Sequence, residues 1–135
     1  MVRIPKTILH EMLVHAVREA PLECCGILAG KGRTVARMYE MRNADESRTT
    51  YLMDPDEQLR VFREMEEEGL DMVAIYHSHP NTIPFPSVRD VRLAWYPDVA
   101  YLIISLKDGE TSLKGFRIGK EAIFIEPIRA IERSS

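Results

Sequence analysis

Met72-Val73-Ala74-Ile75-Tyr76-His77-Ser78-His79-Pro80-Asn81-Thr82-Ile83-Pro84-Phe85-Pro86-Ser87-Val88-Arg89-Asp90 reads as a strand, a stiff loop and a helix start in succession. Residues 72–77 form a short apolar run of the kind that makes a buried strand. Prolines 80, 84 and 86 punctuate the loop, and the last two hold the chain extended on entry to the next element. Ser87 with an acid three residues on is a helix N-terminus, and the pattern predicts a helix from Ser87 to about Trp95.

Working outward, Asp54-Pro55-Asp56-Glu57 opens another helix, with Asp54 as cap, Pro55 at the first helical position and Glu57 completing a capping box. It runs to Gly69, with Leu59, Phe62 and Met65 expected inward. Residues 43–50, Asn-Ala-Asp-Glu-Ser-Arg-Thr-Thr, are polar and read as a loop. Residues 23–29 and 34–41 flank Gly30-Lys31-Gly32 as a hairpin. Residues 5–19 read as a helix with apolar residues at helical spacing from Ile8 to Val17, ended by Pro21. Strands are expected near 99–106, 111–118 and 122–126, with Asp108-Gly109 as a turn. The order αββαβαβββ suits a mixed sheet flanked by helices, an α/β (α+β) class.

The chain has 135 residues without repeat, low-complexity tract or linker, so 1–135 is read as a single domain. Hydrophobic content of 45% and charged content of 29% fit a folded, soluble chain. A net charge of −3 without a Lys/Arg cluster argues against a nucleic-acid surface. No apolar run spans a membrane and the start shows no signal-peptide pattern, so a cytoplasmic location is expected. Some surface apolar residues leave room for a homodimer without marking a seam. Cys24 and Cys25 are adjacent, which is poor disulfide geometry, and they lack C-x-x-C spacing; they read as small buried hydrophobes.

The chemistry lies in the histidines. Side chains two apart on an extended chain point the same way, so His77 and His79 can present two imidazoles to one point. The loop is long enough to fold Asp90 back over the strand end. Two His and one carboxylate leave one tetrahedral position free, as a catalytic zinc requires, whereas structural zinc is closed by four protein ligands. The plain readings stand beside this. An H-x-H pair alone is weak, Ser87 and Asp90 are explained by capping, and the prolines by loop geometry. Capping and metal binding are compatible, since a cap fixes both side chains. His10 and His15, five apart on the first helix, suit no shared ligand face and are expected at the surface.

An activated water needs a base. The acids of the second helix are explained by a solvated face. Glu23 differs, because it opens an apolar run, where a buried carboxylate costs several kcal/mol without compensation. The residues leave two readings open: a base beside the metal, or a surface carboxylate at a strand end.

Together Glu23, His77-Ser78-His79-Pro80, residues 80–86 as a seven-residue spacer, Ser87 and Asp90 resemble the JAMM family, also called MPN+ metalloproteases. Pro21–Gly30 and Tyr101–Leu106 look like the same family, and the likeness covers roughly residues 5–126. The resemblance implies a three-layer α-β-α sandwich around a curved mixed sheet, an architecture like that of cytidine deaminases. It implies one zinc (Zn2+) per chain on His77, His79 and Asp90, Glu23 as general acid/base, and Ser87 as donor to the oxyanion. The implied substrates are amide bonds at the C-terminal Gly-Gly of ubiquitin or a ubiquitin-like protein. The insertion of linkage-selective eukaryotic members is missing after Asp90. The chain therefore looks like a minimal prokaryote-type member acting on ubiquitin-like sulfur carriers. A non-catalytic MPN scaffold module and a small-molecule zinc amidase are the alternatives.

Overall fold

The computed structural model describes residues 1–132. Their elements run β1 (Val2–Pro5), α1 (Lys6–Glu19), β2 (Cys25–Lys31), β3 (Thr34–Met41), α2 (Pro55–Glu67), β4 (Asp71–His79), α3 (Val88–Arg92), β5 (Ala100–Ser105), β6 (Ser112–Ile118), β7 (Ile123–Ile125) and β8 (Ile128–Ile131). The strands form one curled sheet in the order β7-β6-β5-β4-β2-β3-β1-β8. It is mixed: β4 pairs antiparallel with β2 and parallel with β5, and β1 pairs parallel with both β3 and β8.

Period-2 alternation along the central strands feeds two cores. On one face Leu28, Ala74, Tyr76, Leu102 and Ile104 meet Ile8, Met12 and Ala16 of α1. On the other, Ile27, Ile75, Tyr101 and Ile103 meet Val61 and Met65 of α2. Helix, sheet and helix thus make the three layers expected. Cys24 and Cys25 are buried free thiols on opposite faces, and burial pushes the Cys24 thiol up to about 12, in keeping with an inert packing role.

Several expectations change. β1 and β8 have no counterpart in the sequence pattern; each has four residues and they pair across the whole chain, so no local signal announces them. α3 stops at Arg92 instead of running to Trp95. None of its residues is fully buried, and within it only Val91 packs against the core. On α2 the inward face is Val61 and Met65, with Phe62 half-buried, while Leu59 lies 52% exposed on the far side. Asp54 caps α2 by accepting from the Asp56 and Glu57 amides, but the Glu57 carboxylate turns away and accepts from the Arg42 amide.

His15 is the larger correction. It is buried, on the face shared with Ile8, Met12 and Ala16, and its Nδ1 lies 2.8 Å from the Tyr76 hydroxyl. His10 is exposed as expected. Tyr76 fits because its neighbour across the ladder is Gly26, where a Cβ would fall 2.1 Å from the phenol ring.

Candidate metal centre

β4 runs through to His79, so the H-x-H pair sits on a strand held from both sides. His77 is opposite Cys25 of β2 and Ile103 of β5. Its ring and that of His79 emerge on the same face, with their Nε2 atoms 3.1 Å apart. Ser78 points the other way, where its hydroxyl accepts from the Cys24 amide. The loop then returns Asp90, in the first turn of α3. Its Oδ2 lies 3.2 Å from His77 Nε2 and 3.1 Å from His79 Nε2.

These residues fit a metal. Bonds of about 2.0–2.1 Å in tetrahedral geometry set neighbouring ligands about 3.3 Å apart. The three atoms here stand at 3.1–3.2 Å, and all the candidate ligand atoms of the group lie within 4.8 Å of one another. The donor set, two imidazoles and a carboxylate, is of the open catalytic type. The His79 tautomer also suits it. Nδ1 is 2.9 Å from the Ile83 carbonyl, which can only accept, so Nδ1 carries the proton and the Nε2 lone pair is free. The His77 ring stacks on Tyr51, with centroids 4.5 Å apart and planes at 26°. Its Nδ1 is buried without a partner among the described residues.

Burial opposes ionisation of Asp90, yet the adjacent His77 and His79 rings and the Ser87 amide hold its carboxyl well below the usual carboxylate range. Burial also pulls both histidines down. For His77 it prevails; for His79 the Asp90 carboxylate and the Ile83 carbonyl overcome it. Capping and ligation coexist: Asp90 Oδ2 accepts from the Ser87 amide at 2.9 Å, and Ser87 Oγ accepts from the Asp90 amide at 3.0 Å. The plain reading of this pair as a cap is therefore correct, and it aims the carboxylate at the histidines.

Glu23 precedes β2. With Cys25 opposite His77 in an antiparallel ladder, two residues back along β2 run towards His79, on the same face. Its main chain is tied to the 43–50 loop. The Glu23 amide donates to the Ser47 carbonyl, and the Asn43 side-chain amide donates to the Glu23 carbonyl. The residue is 4% exposed, so of the two readings open from sequence the surface carboxylate is excluded. Its Oε1 has no partner among the described residues. Burial pushes its carboxyl up to about 8, against a smaller opposing effect of His79. Glu23, His79 and Ser87 share one cavity of about 330 Å3. The structure thus gathers all five residues singled out from sequence. Tyr51 was missed, because it lies in a segment without periodicity and reaches His77 only through the tertiary fold.

Residues 5–118 match Prok-JAB, the prokaryotic homologs of the JAB domain. The CysO-cysteine peptidase of Mycobacterium tuberculosis is 40% identical over 129 residues, spanning 93% of this chain and 88% of that protein. The desampylase of Haloferax volcanii is 41% identical over 93 residues, 67% of each chain. The solution structure of protein DSY2949 from Desulfitobacterium hafniense matches with a TM-score of 0.90 at 39% identity, over 98% of this chain and 94% of that one. The chain belongs to the prokaryotic JAB-domain family, the JAMM/MPN lineage that its two motifs resemble.

Proposed function

We propose that this chain is a zinc-dependent peptidase or isopeptidase that hydrolyses an amide bond at the C-terminal Gly-Gly of a ubiquitin-like sulfur-carrier protein. His77, His79 and Asp90 hold one zinc per chain. The observation that carries the reading is the convergence of three ligand atoms at 3.1–3.2 Å on the sheet face that also buries Glu23. The relatives named CysO-cysteine peptidase and desampylase support the substrate class.

When bound, the metal supplies Lewis acidity and lowers the pKa of water from 15.7 to about 7. The chain's own groups move the protons. Glu23 accepts a proton from the attacking water, whose oxygen adds to the acyl carbon. Glu23 then passes that proton to the leaving nitrogen as the C–N bond breaks, giving a carboxylic acid and an amine, which exchange a further proton to leave as carboxylate and ammonium. Burial raises the proton affinity of this carboxylate, which suits a group that must take a proton and give it back near neutral pH. The Ser87 hydroxyl already accepts from the Asp90 amide, so its own proton is free to donate to the acyl oxygen as negative charge develops there.

The family match across residues 5–118 and the β1–β8 pairing support one domain over 1–135. Among the described residues no helix is long and apolar enough to cross a membrane. The two free cysteines accord with a reducing compartment, and we place the protein in the cytoplasm. A scaffold that only binds partners has no use for an unpartnered buried carboxylate beside two imidazoles. Zinc-loaded protein incubated with candidate ubiquitin-like carriers is expected to remove mass from a carrier's C-terminus, read by intact mass spectrometry. Unchanged carriers throughout would overturn the reading.

A further inference from the structure

The cavity beside the metal centre is lined by more than the residues singled out above. Besides Glu23, His79 and Ser87 it is lined by Arg48, Thr49, Asn81 and Thr82. These four are polar by residue type, and one of them, Arg48, is a cation. Other arginines nearby are engaged: Arg42 pairs with Asp54 at 3.6 Å and Arg89 with Asp45 at 3.3 Å. Arg48 has no such carboxylate among the described residues. It is not serving Glu23 either, whose buried Oε1 has no partner.

The loop that carries Arg48 is built onto the catalytic strand. The Ser47 carbonyl accepts from the Glu23 amide at 2.8 Å. The Ser47 hydroxyl accepts from the amides of Thr49 at 3.1 Å and Thr50 at 3.2 Å. Asn43 ties the same loop to the Glu23 carbonyl at 3.1 Å and the Thr50 carbonyl at 2.9 Å. Arg48 therefore sits between two anchored neighbours, at a position fixed relative to the Glu23 main chain. An uncommitted guanidinium on an anchored loop, lining the cavity that also holds Glu23 and His79, is placed to recognise a carboxylate through paired N–H donors. About 330 Å3 is at the low end of small-molecule sites, which run from about 300 to 1,000 Å3; it accommodates one amino-acid residue and excludes a folded body. Glu23 and Asp90 would otherwise repel an anionic group arriving here.

We infer that Arg48 is a specificity-determining residue that binds the free α-carboxylate of the leaving amino acid. The bond cleaved best is then the one joining a carrier's C-terminus to a single C-terminal residue. A side-chain-linked lysine within a folded protein offers no carboxylate at that position. This inference rests on the peptidase reading above and deepens it.

The test compares a carrier extended by one residue in two forms, C-terminal acid and C-terminal amide, with zinc-loaded wild type, Arg48→Gln and Arg48→Lys. Wild type is expected to favour the acid by at least about 10-fold in kcat/KM, the scale of one charge-assisted contact. Arg48→Gln is expected to bring the acid-to-amide ratio to about one. Arg48→Lys, which keeps the charge but not the fork, should restore part of it. A wild-type ratio near one, or a ratio unchanged in Arg48→Gln, overturns the role of Arg48 while leaving the peptidase standing. Failure of wild type to cleave either form overturns the peptidase reading and this inference with it.

Discussion

The two faces of β4 bury histidines in opposite ways. On the α1 face, Tyr76 and His15 satisfy each other, and Gly26 makes room for the phenol. On the other face, His77 and His79 bring two ring nitrogens and the Asp90 oxygen to 3.1–3.2 Å, while Glu23 Oε1 and His77 Nδ1 have no partner among the described residues. Burying an unpaired polar group costs about 1–3 kcal/mol, so one face follows the ordinary rule for a core and the other departs from it. A buried histidine with a closed partner is packing. Buried histidines converging on a carboxylate beside an unsatisfied acid are what a metal centre would need, and the two faces of one strand, β4, border both arrangements.

The comparison breaks most visibly at Glu23. Glu23→Gln is expected to lower turnover by about 100- to 10,000-fold, the usual worth of a general base, while retaining zinc. Turnover and metal content measured on the same sample check both halves. Full activity would remove Glu23 as the base. Tyr51→Ala, which removes the ring stacked on His77, is expected to weaken metal affinity by about 10- to 100-fold, the scale of groups that orient a ligand. Tyr51→Phe should keep it, as titration against a competing chelator would show.

Across the sheet the expected effects fall on stability alone. Tyr76→Phe strips the partner from buried His15 and is expected to cost about 1–3 kcal/mol in denaturant unfolding, with metal affinity unchanged. A parallel loss of metal would mean that the two faces are not independent. The smallest effect is in pH. Burial lowers His15 below 6.5, with Glu40 and Glu19 opposing and Arg18 assisting. Below about pH 6.5 the unfolded chain binds a proton that the folded chain resists, so stability is complete above that pH and declines as pH falls through it. The slope attributable to this residue is at most about 1.4 kcal/mol per pH unit. It should be absent from His15→Gln, so the difference in stability between wild type and variant should carry it between about pH 5 and 8.

How much of the molecule is legible in its sequence depends on how far each signal travels along the chain. His77, His79, Ser87 and Asp90 lie within one strand–loop–helix unit, where two-residue alternation and a capping box fix their directions locally. Glu23 needs a tertiary fact, the Cys25–His77 register, to bring it to the same face, which is why the residues alone leave it open. His15 is misplaced when weighed only as a ligand partner of His10. Its spacing to Ile8, Met12 and Ala16 puts it on the buried face, a signal the sequence does contain. Tyr51 and Arg48 lie in a segment without periodicity, held by the Asn43 and Ser47 hydrogen bonds, and only those bonds reveal what they face.

Metal content after exhaustive dialysis tests the centre most directly, compared between wild type and Asp90→Ala. Wild type is expected to retain one zinc per chain, and the folded variant to lose it. A wild type that holds no zinc, or an Asp90→Ala protein that holds as much as wild type, would contradict this expectation.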